Sequence, residues 1–281
     1  MRRAMPQLVS MIVTTKNSQR TLEACLRSAR AQTHQPVEII VVDNGSSDAT
    51  PEIARRLADS VIEAGPERSA QRNAGMRAAR GEYVLVLDSD MVLDPDVVEA
   101  ALAASNAGAR VVAIPEESFG QGFWSVCKTF ERSFYREDAL ISAGRFFSKS
   151  DALEAGGYDE TLTGPEDWDL SMRLAGSSAI AFAHARIRHD EGRQTLSELF
   201  KKKYYYGRSM PAFVRKHGRS ALARLNPLRP SLVRGMGAMV RRPVLAAGLI
   251  VMKTTEAIGG AAGMLDARPR RNDSVYRSAA R

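Results

Sequence analysis

The chain has 281 residues, 44% hydrophobic and 26% charged, which gives room for one sizeable α/β domain with an appendage and excludes a wholly disordered polypeptide. Its two cysteines, Cys25 and Cys127, form no CxxC pair, so neither a disulfide framework nor a cysteine zinc site is expected, and reduced thiols in a cytosolic compartment are. The net charge of +8 is divided: residues 1–192 carry 21 basic and 28 acidic residues (net −7), and residues 193–281 carry 19 and 4 (net +15), so the second part needs an anionic neighbour, whether phospholipid, nucleic acid or the acidic front itself.

The chain starts Met1-Arg2-Arg3, but the apolar run Leu8–Val13 is too short for a signal core and reads as a first strand. Arg20–Gln32 follows as a helix with Leu22, Cys25, Leu26 and Ala29 on one face. Val37–Val42 is a second buried strand, ending in the turn signal Asp43-Asn44-Gly45. Thr50-Pro51 reads as an N-cap followed by proline at the first helical position. Val61-Ile62 is a short strand, Ser69–Arg80 a helix ended by Gly81, and Tyr83–Leu87 a strand running into Asp88. Asp94-Pro95 opens a further helix, and Val111–Ile114 is another strand.

The second half is less regular. Gly120–Leu140 reads as mostly helical, Arg145–Ser148 as a strand, and Gly164-Pro165-Glu166-Asp167 as the start of a helix reaching Leu174. Ile180–Ala183 and Ile187–His189 read as short strands, and Leu196–His217 as one basic helix. Asn226-Pro227 and Arg229-Pro230 mark a joint, so residues 1–225 are expected to form the main domain and 226–281 a basic, partly apolar helical tail. Alternating apolar strands and helices imply a largely parallel sheet covered on both faces, with ligands bound beyond the carboxyl ends of its strands. That rule selects Thr14, Thr15, Asp43 and Asp88-Ser89-Asp90.

Asp88 and Asp90 lie one residue apart after a strand, where two carboxylates can face one hard divalent cation; a turn with helix-capping acids is the plainer alternative. Asp43 can accept a hydrogen bond from a nucleobase edge, although an Asx-turn explains it without a ligand. Arg68 and Arg72 flank a helix N-terminus, where the dipole prefers anions; a diphosphate would satisfy them, and so would solvent. Glu166-Asp167 after Pro165 suits a general base aimed at an acceptor hydroxyl, or simply a favourable first turn. Trp168 beside them reads as core. His189, one of four histidines, follows a strand and could supply a further metal ligand.

The runs Val9–Asn17 and Val41–Asp48, then Ser69–Gly75, Gly81-Glu82-Tyr83, Asp88-Ser89-Asp90, Gly156–Glu160 and Glu166–Leu170, taken in this order, resemble inverting family-2 glycosyltransferases of the GT-A fold. The resemblance covers residues 8 to about 193. It implies an α/β fold with a Rossmann-like mixed sheet flanked by helices, here with a basic C-terminal helical extension. It also implies transfer of a sugar, hexosyl in kind, from a nucleotide-diphosphate donor of the UDP or GDP type with Mn2+ or Mg2+, in cell-envelope, polysaccharide or glycolipid synthesis. Residue by residue, Thr14, Thr15 and Asn17 would line the nucleoside pocket, and Asp43 would hold the base. Arg72, with Arg68 and Ser89, would contact the nucleotide. Asp88 and Asp90 would form the metal motif, joined by His189, and Asp167 beside Glu166 would be the base. The family's usual Pro-Thr-Tyr-Asn is Thr14-Thr15-Lys16-Asn17 here, which bears on donor identity.

Pro243–Leu265 holds 23 residues with only Lys253 and Glu256 charged, long enough to span a bilayer, but four glycines and two central charges argue against a simple span. Arg241-Arg242 before it and Arg268, Arg270 and Arg271 after it place positive charge on both sides. The expectation is a peripheral or monotopic helix on the cytoplasmic leaflet, with a lipid-linked acceptor; the alternative is a helix packed on the domain or at a dimer interface. A nucleotidyltransferase-like enzyme leaves Glu166-Asp167 without a role. A nucleic-acid-binding protein is disfavoured by the acidic front and the lack of a base-stacking motif.

Overall fold

The computed structural model describes residues 7–226 and 230–267. The joint at Pro227–Arg229, the leading Met1-Arg2-Arg3 and the trailing Arg268, Arg270 and Arg271 lie outside the described residues. In chain order, the first half runs β1 (Val9–Thr15), α1 (Leu22–Arg30), β2 (Val37–Asp43), α2 (Thr50–Leu57), β3 (Ser60–Glu63), α3 (Arg68–Ala78), β4 (Tyr83–Asp88), β5 (Met91–Leu93), α4 (Val97–Asn106) and β6 (Val111–Ala113). It continues with β7 (Glu116–Gln121), α5 (Phe123–Arg132), β8 (Phe146–Ser148), α6 (Lys149–Glu154), α7 (Glu166–Ala175), β9 (Ala181–Phe182) and β10 (Ile187–Arg193). Five helices follow: α8 (Leu196–Gly207), α9 (Met210–His217), α10 (Arg219–Leu225), α11 (Pro230–Arg241) and α12 (Pro243–Leu265).

The main sheet has strand order β3-β2-β1-β4-β8-β6-β9, and a second sheet has order β5-β10-β7. β3, β2, β1 and β4 are parallel, whereas β8 runs antiparallel to both β4 and β6, so the sheet is mixed. Strand residues alternate between two buried faces. Met11, Val13, Ile39, Val41, Leu85 and Leu87 face α1 and α4, while Ile12, Ile40, Val42, Val84 and Val86 face α3 and α7. This is why the strands read as continuous apolar runs rather than alternating ones. In register, Thr14 stands beside Val42 and Asp88, and Thr15 beside Asp43, so all four parallel strands end at one edge.

Several sequence expectations are corrected. Thr50 is the first helical residue of α2, not its cap: its N–H donates to Asp48 Oδ1 at 3.0 Å. The helix expected at Asp94-Pro95 begins at Val97. Gly81 does not end α3; a Cβ there would sit 2.7 Å from Leu8 O and Ser10 N, so it lets the chain pass close to β1. The stretch expected to be helical from Gly120 holds the end of β7, then α5 to Arg132, and no regular helix after it. β7 forms because its backbone pairs with β10, a partner some seventy positions on that local periodicity cannot reveal. The single basic helix Leu196–His217 is two helices. Pro211, near the start of α9, lacks the N–H that a continuous helix needs there.

Two glycines of α12 have a packing role against α8. A Cβ on Gly259 would lie 2.6 Å from Phe200 O, and one on Gly263 2.0 Å from Tyr204 O, so the backbones of α12 and α8 touch. Its two charges are matched as well: Lys253 Nζ is 2.9 Å from Glu131 and 2.7 Å from Glu256, and Lys128 is 3.0 Å from Glu256. Gly263→Leu should force α12 off α8 and cost about 1–3 kcal/mol. Urea unfolding tests this; an unchanged midpoint would mean the two helices do not meet through that glycine.

Candidate active site

The carboxyl ends of β1, β2 and β4, the first turn of α3 and the first turn of α7 bring the predicted residues to one edge. At the centre is Arg72, fully buried. Its Nη1 donates to Asp167 Oδ1 at 2.6 Å and to Glu166 Oε1 at 3.1 Å, and its Nη2 donates to Asp88 Oδ1 at 3.0 Å. Three carboxylates from β4 and α7 therefore converge on one guanidinium, which also lies 5.2 Å from the centre of the Tyr158 ring. α3 can bring Arg72 this close because Gly75 leaves room for Ile12: a Cβ there would be 2.3 Å from its side chain.

The acids have unequal settings. Glu166 is enclosed; it accepts from Gly164 N–H at 2.5 Å and pairs with Arg68 at 3.2 Å. Burial, reinforced by the adjoining Asp167 charge, holds its carboxyl above the usual range. Asp167 is partly exposed, and among the described residues its Oδ2 accepts no hydrogen bond. Burial would raise the Asp88 carboxyl, but Arg72 and then Arg145 outweigh it and hold the carboxyl far below its ordinary value. Arg68 also donates to Tyr206 Oη at 3.0 Å, tying α8 to the start of α3.

A second group continues from Asp88. Arg145 Nη2 is 3.6 Å from Asp88 Oδ2 and 2.8 Å from Glu116 Oε1. Glu116 Oε2 is 3.1 Å from His189 Nδ1, and His189 Nε2 is 3.3 Å from Asp90 Oδ2. Burial alone would depress the His189 imidazole; the hydrogen bonds to Asp90 and Glu116 overcome it and raise its pKa to about 10. Among the described residues, Asp90 Oδ1 is buried without a hydrogen-bond partner. An oxygen donor with an unused buried atom beside an imidazole fits a divalent cation such as Mn2+. Asp88 is not gathered with that pair, its oxygens being turned to Arg72 and Arg145. Among the described residues no three His, Cys, Asp or Glu side chains converge as a ready ligand set.

The other predicted residues line the same edge. Thr14 Oγ1 lies 3.5 Å from Asp88 Oδ1, and the buried Thr15 Oγ1 has no hydrogen-bond partner among the described residues. Asn17, at φ 49°, joins two loops: its N–H donates to Ser46 Oγ at 2.7 Å and its Oδ1 accepts from Ser47 N–H at 2.9 Å. Asp43 accepts from Ser46 N–H at 2.9 Å and Ser46 Oγ at 2.5 Å, so it closes its own turn. Ser89 Oγ donates to Ser18 Oγ at 2.8 Å. Trp168, expected as core, is partly buried and packs against Leu162 and Phe213, its Nε1 donating to Ile141 O at 2.9 Å. Sequence reasoning missed Glu116, Arg145 and Tyr158. Glu116 opens β7, just past Pro115 and the expected strand Val111–Ile114, and an acid so soon after a strand was the available signal.

Acids and guanidiniums are gathered at the carboxyl edge of a parallel half-sheet, the edge at which α/β proteins bind their ligands. Residues 10–149 match the family model described as Glycosyl transferase family 2, and the chain carries a domain of that family there. It is 38% identical over 100 residues to the Putative glycosyltransferase EpsH of Bacillus subtilis (strain 168), covering 34% of this chain and 29% of that protein. It is 35% identical over 89 residues to the UDP-Glc:alpha-D-GlcNAc-diphosphoundecaprenol beta-1,3-glucosyltransferase WfaP of Escherichia coli, covering 30% of this chain and 36% of that protein. The matched segments thus span about a third of these relatives' own length. The mannosyltransferase PcManGT of Pyrobaculum calidifontis, solved with GDP-Man and Mn2+, superposes with a TM-score of 0.62 at 18% identity, covering 93% of this chain and 88% of that one. The GT-A fold is therefore that of the chain as well.

Proposed function

We propose that this chain is an inverting glycosyltransferase that moves a sugar from a nucleotide-diphosphate donor to an acceptor hydroxyl, assisted by a divalent cation, in envelope polysaccharide or glycolipid synthesis. The observation that carries the proposal is the convergence of Asp88, Glu166 and Asp167 on the buried Arg72. In an in-line displacement the acceptor oxygen bonds to the anomeric carbon as the bond to the diphosphate oxygen breaks, and the nucleoside diphosphate leaves with the electron pair. Asp167, with a free oxygen at the surface of the site, takes the acceptor's proton as catalytic base. Glu166, saturated by Gly164, Arg68 and Arg72, holds the first turn of α7 in place. Thr14, Thr15, Asn17 and Asp43 border the nucleoside side, and Arg68, Arg72 and Ser89 the diphosphate side. Asp90 and His189 are the residues that would hold Mn2+ or Mg2+, which when bound neutralises charge on the leaving diphosphate.

The test is a thermal-shift series with UDP, GDP and their sugars, with and without Mn2+, followed by donor hydrolysis. A nucleoside diphosphate should raise the midpoint more with Mn2+ than without, and the chain should slowly release free sugar from its donor. Asp90→Ala should abolish the Mn2+-dependent part of the shift. A shift in that variant equal to wild type removes Asp90 from the cation site, and no shift with any nucleotide rejects the donor class.

The outer face of α11 and α12 supports association with the inner leaflet of the membrane. α12 is, among the described residues, the one helix long and apolar enough to cross a bilayer, yet one of its faces is packed on α8. The other exposes Val244, Ile250, Ile258 and Leu265, next to Val233, Met236 and Val240 of α11 and the basic pair Arg241-Arg242. An apolar stripe rimmed by arginines suits an anionic lipid surface without a span. The chain should sediment with phosphatidylglycerol vesicles at low salt; recovery wholly in the supernatant rejects the assignment.

A further inference from the structure

A cavity of about 380 Å3 opens between the turn after β1 and the connection from β10 to α8, with Arg20, Arg193 and Lys202 on its walls. It adjoins the proposed transfer centre: Asp190, next to His189, donates its N–H to Asp90 O at 2.9 Å, and its carboxylate pairs with Arg20 at 2.5 Å. The two acids in the lining, Glu191 and Glu198, are already engaged. Glu191 accepts from Ser118 at 3.0 Å and Gln194 at 2.8 Å and pairs with Arg132 at 3.4 Å. Glu198 closes the capping box with Thr195. Among the described residues Arg193 and Lys202 form no ion pair or side-chain hydrogen bond, beyond the pull of the Lys202 charge on Glu191. Arg193 and Lys202 therefore border the cavity without an anion of their own among the described residues, beside Arg20, which is paired with Asp190.

The cavity's surroundings are apolar on one side. Phe119, exposed, stands opposite Asp190 in the pairing of β7 with β10. The stem of Arg193 crosses the start of α5, where a Cβ on Gly122 would lie 3.6 Å from its Cγ. Phe123 and Val126 of α5 are exposed just beyond, and Phe123 reaches α12 at Gly248. A basic cavity leading onto a strip of exposed apolar side chains complements a molecule with a phosphate at one end and a hydrocarbon chain at the other.

We infer that this cavity is an acceptor subsite that binds the phosphate of a phosphorylated lipid, with Arg193 and Lys202 as its anion ligands and Phe119 and Phe123 bordering the chain. The inference rests on the transferase reading and narrows its acceptor class. Trp124, in edge contact with Phe123 at 5.0 Å, provides a fluorescence signal for the test. The full chain is titrated with farnesyl phosphate, farnesol and inorganic phosphate. Farnesyl phosphate should bind more tightly than either of the others. The double variant Arg193→Ala with Lys202→Ala should weaken it by roughly tenfold or more, while Arg193→Lys with Lys202→Arg keeps the affinity. Both side chains are exposed, so neither variant is expected to disturb the fold. Unchanged affinity in the alanine variant overturns the assignment. So does equal binding of farnesol, which would mean an apolar patch only, or of inorganic phosphate, which would mean a free-phosphate pocket. Nucleotide-sugar binding by the unmodified chain separates the two failures. A chain that binds farnesyl phosphate but no nucleotide sugar keeps the subsite and loses the transferase reading, and the reverse result loses the subsite alone.

Discussion

Replacing Arg72 with methionine is expected to lower the unfolding free energy by about 3–5 kcal/mol, because removing one partner of a buried ion cluster leaves uncompensated charge. The lower end applies to Asp88 and Glu166, since Asp88 keeps Arg145 at 3.6 Å and Glu166 keeps Arg68 at 3.2 Å. Asp167 loses the only ion-pair partner it has among the described residues and is left beside Glu166 with like charge. Methionine fills much of the space of the arginine stem, so the loss measures charge more than cavity. The pH dependence should show this. Burial and Asp167 raise the Glu166 carboxyl, so the fold prefers its protonated form and the penalty for its ionised form is greatest at neutral pH. Acidification towards the carboxylate range should therefore narrow the gap between variant and wild type. Urea unfolding at neutral and mildly acidic pH checks both points. A wild-type midpoint in the variant would mean that these carboxylates do not share one counter-ion.

The parts of this architecture legible in the sequence were those encoded locally. β1, β2 and β4 are apolar runs whose ends are marked by Thr14-Thr15, Asp43 and Asp88, and parallel-sheet logic alone places those ends on one edge. Glu166-Asp167 was visible as a helix start. Nothing local, however, stated that α7 would point that start at Arg72, more than ninety positions earlier. The order of family motifs assigned both residues to one site, Arg72 to the nucleotide and Asp167 as the base, but not to each other. The illegible parts depend on distant pairing. Arg145 precedes β8, which inserts antiparallel between β4 and β6, and only that insertion sets the guanidinium between Asp88 and Glu116. The glycines of α12 counted in sequence as evidence against a membrane span; two of them, Gly259 and Gly263, let α12 touch the α8 backbone, which needs both helices to be seen. Asp43 shows the converse case, a residue whose plain turn reading accounts for the hydrogen bonds to Ser46 whatever else it does when donor is bound.

Asp167→Asn is expected to reduce transfer to a hydroxyl acceptor by about 10²–10⁴-fold, the usual contribution of a positioned general base. The substitution suits the question because it is nearly isosteric. Asparagine keeps an oxygen to accept from Arg72 Nη1, now 2.6 Å from Asp167 Oδ1, and removes only the charge and the proton affinity. Donor affinity should therefore hold, and the loss should fall on kcat with little change in KM for the nucleotide sugar. Glu166→Gln provides the contrast. Its carboxylate is consumed by Gly164, Arg68 and Arg72, so its loss should appear first as reduced stability. Parallel measurement of transfer rate, donor-induced thermal shift and urea midpoint in both variants separates base from scaffold. Turnover of Asp167→Asn within a few-fold of wild type would take the proton-accepting role from Asp167. A collapse of donor affinity in the same variant would move the residue to the donor side of the site.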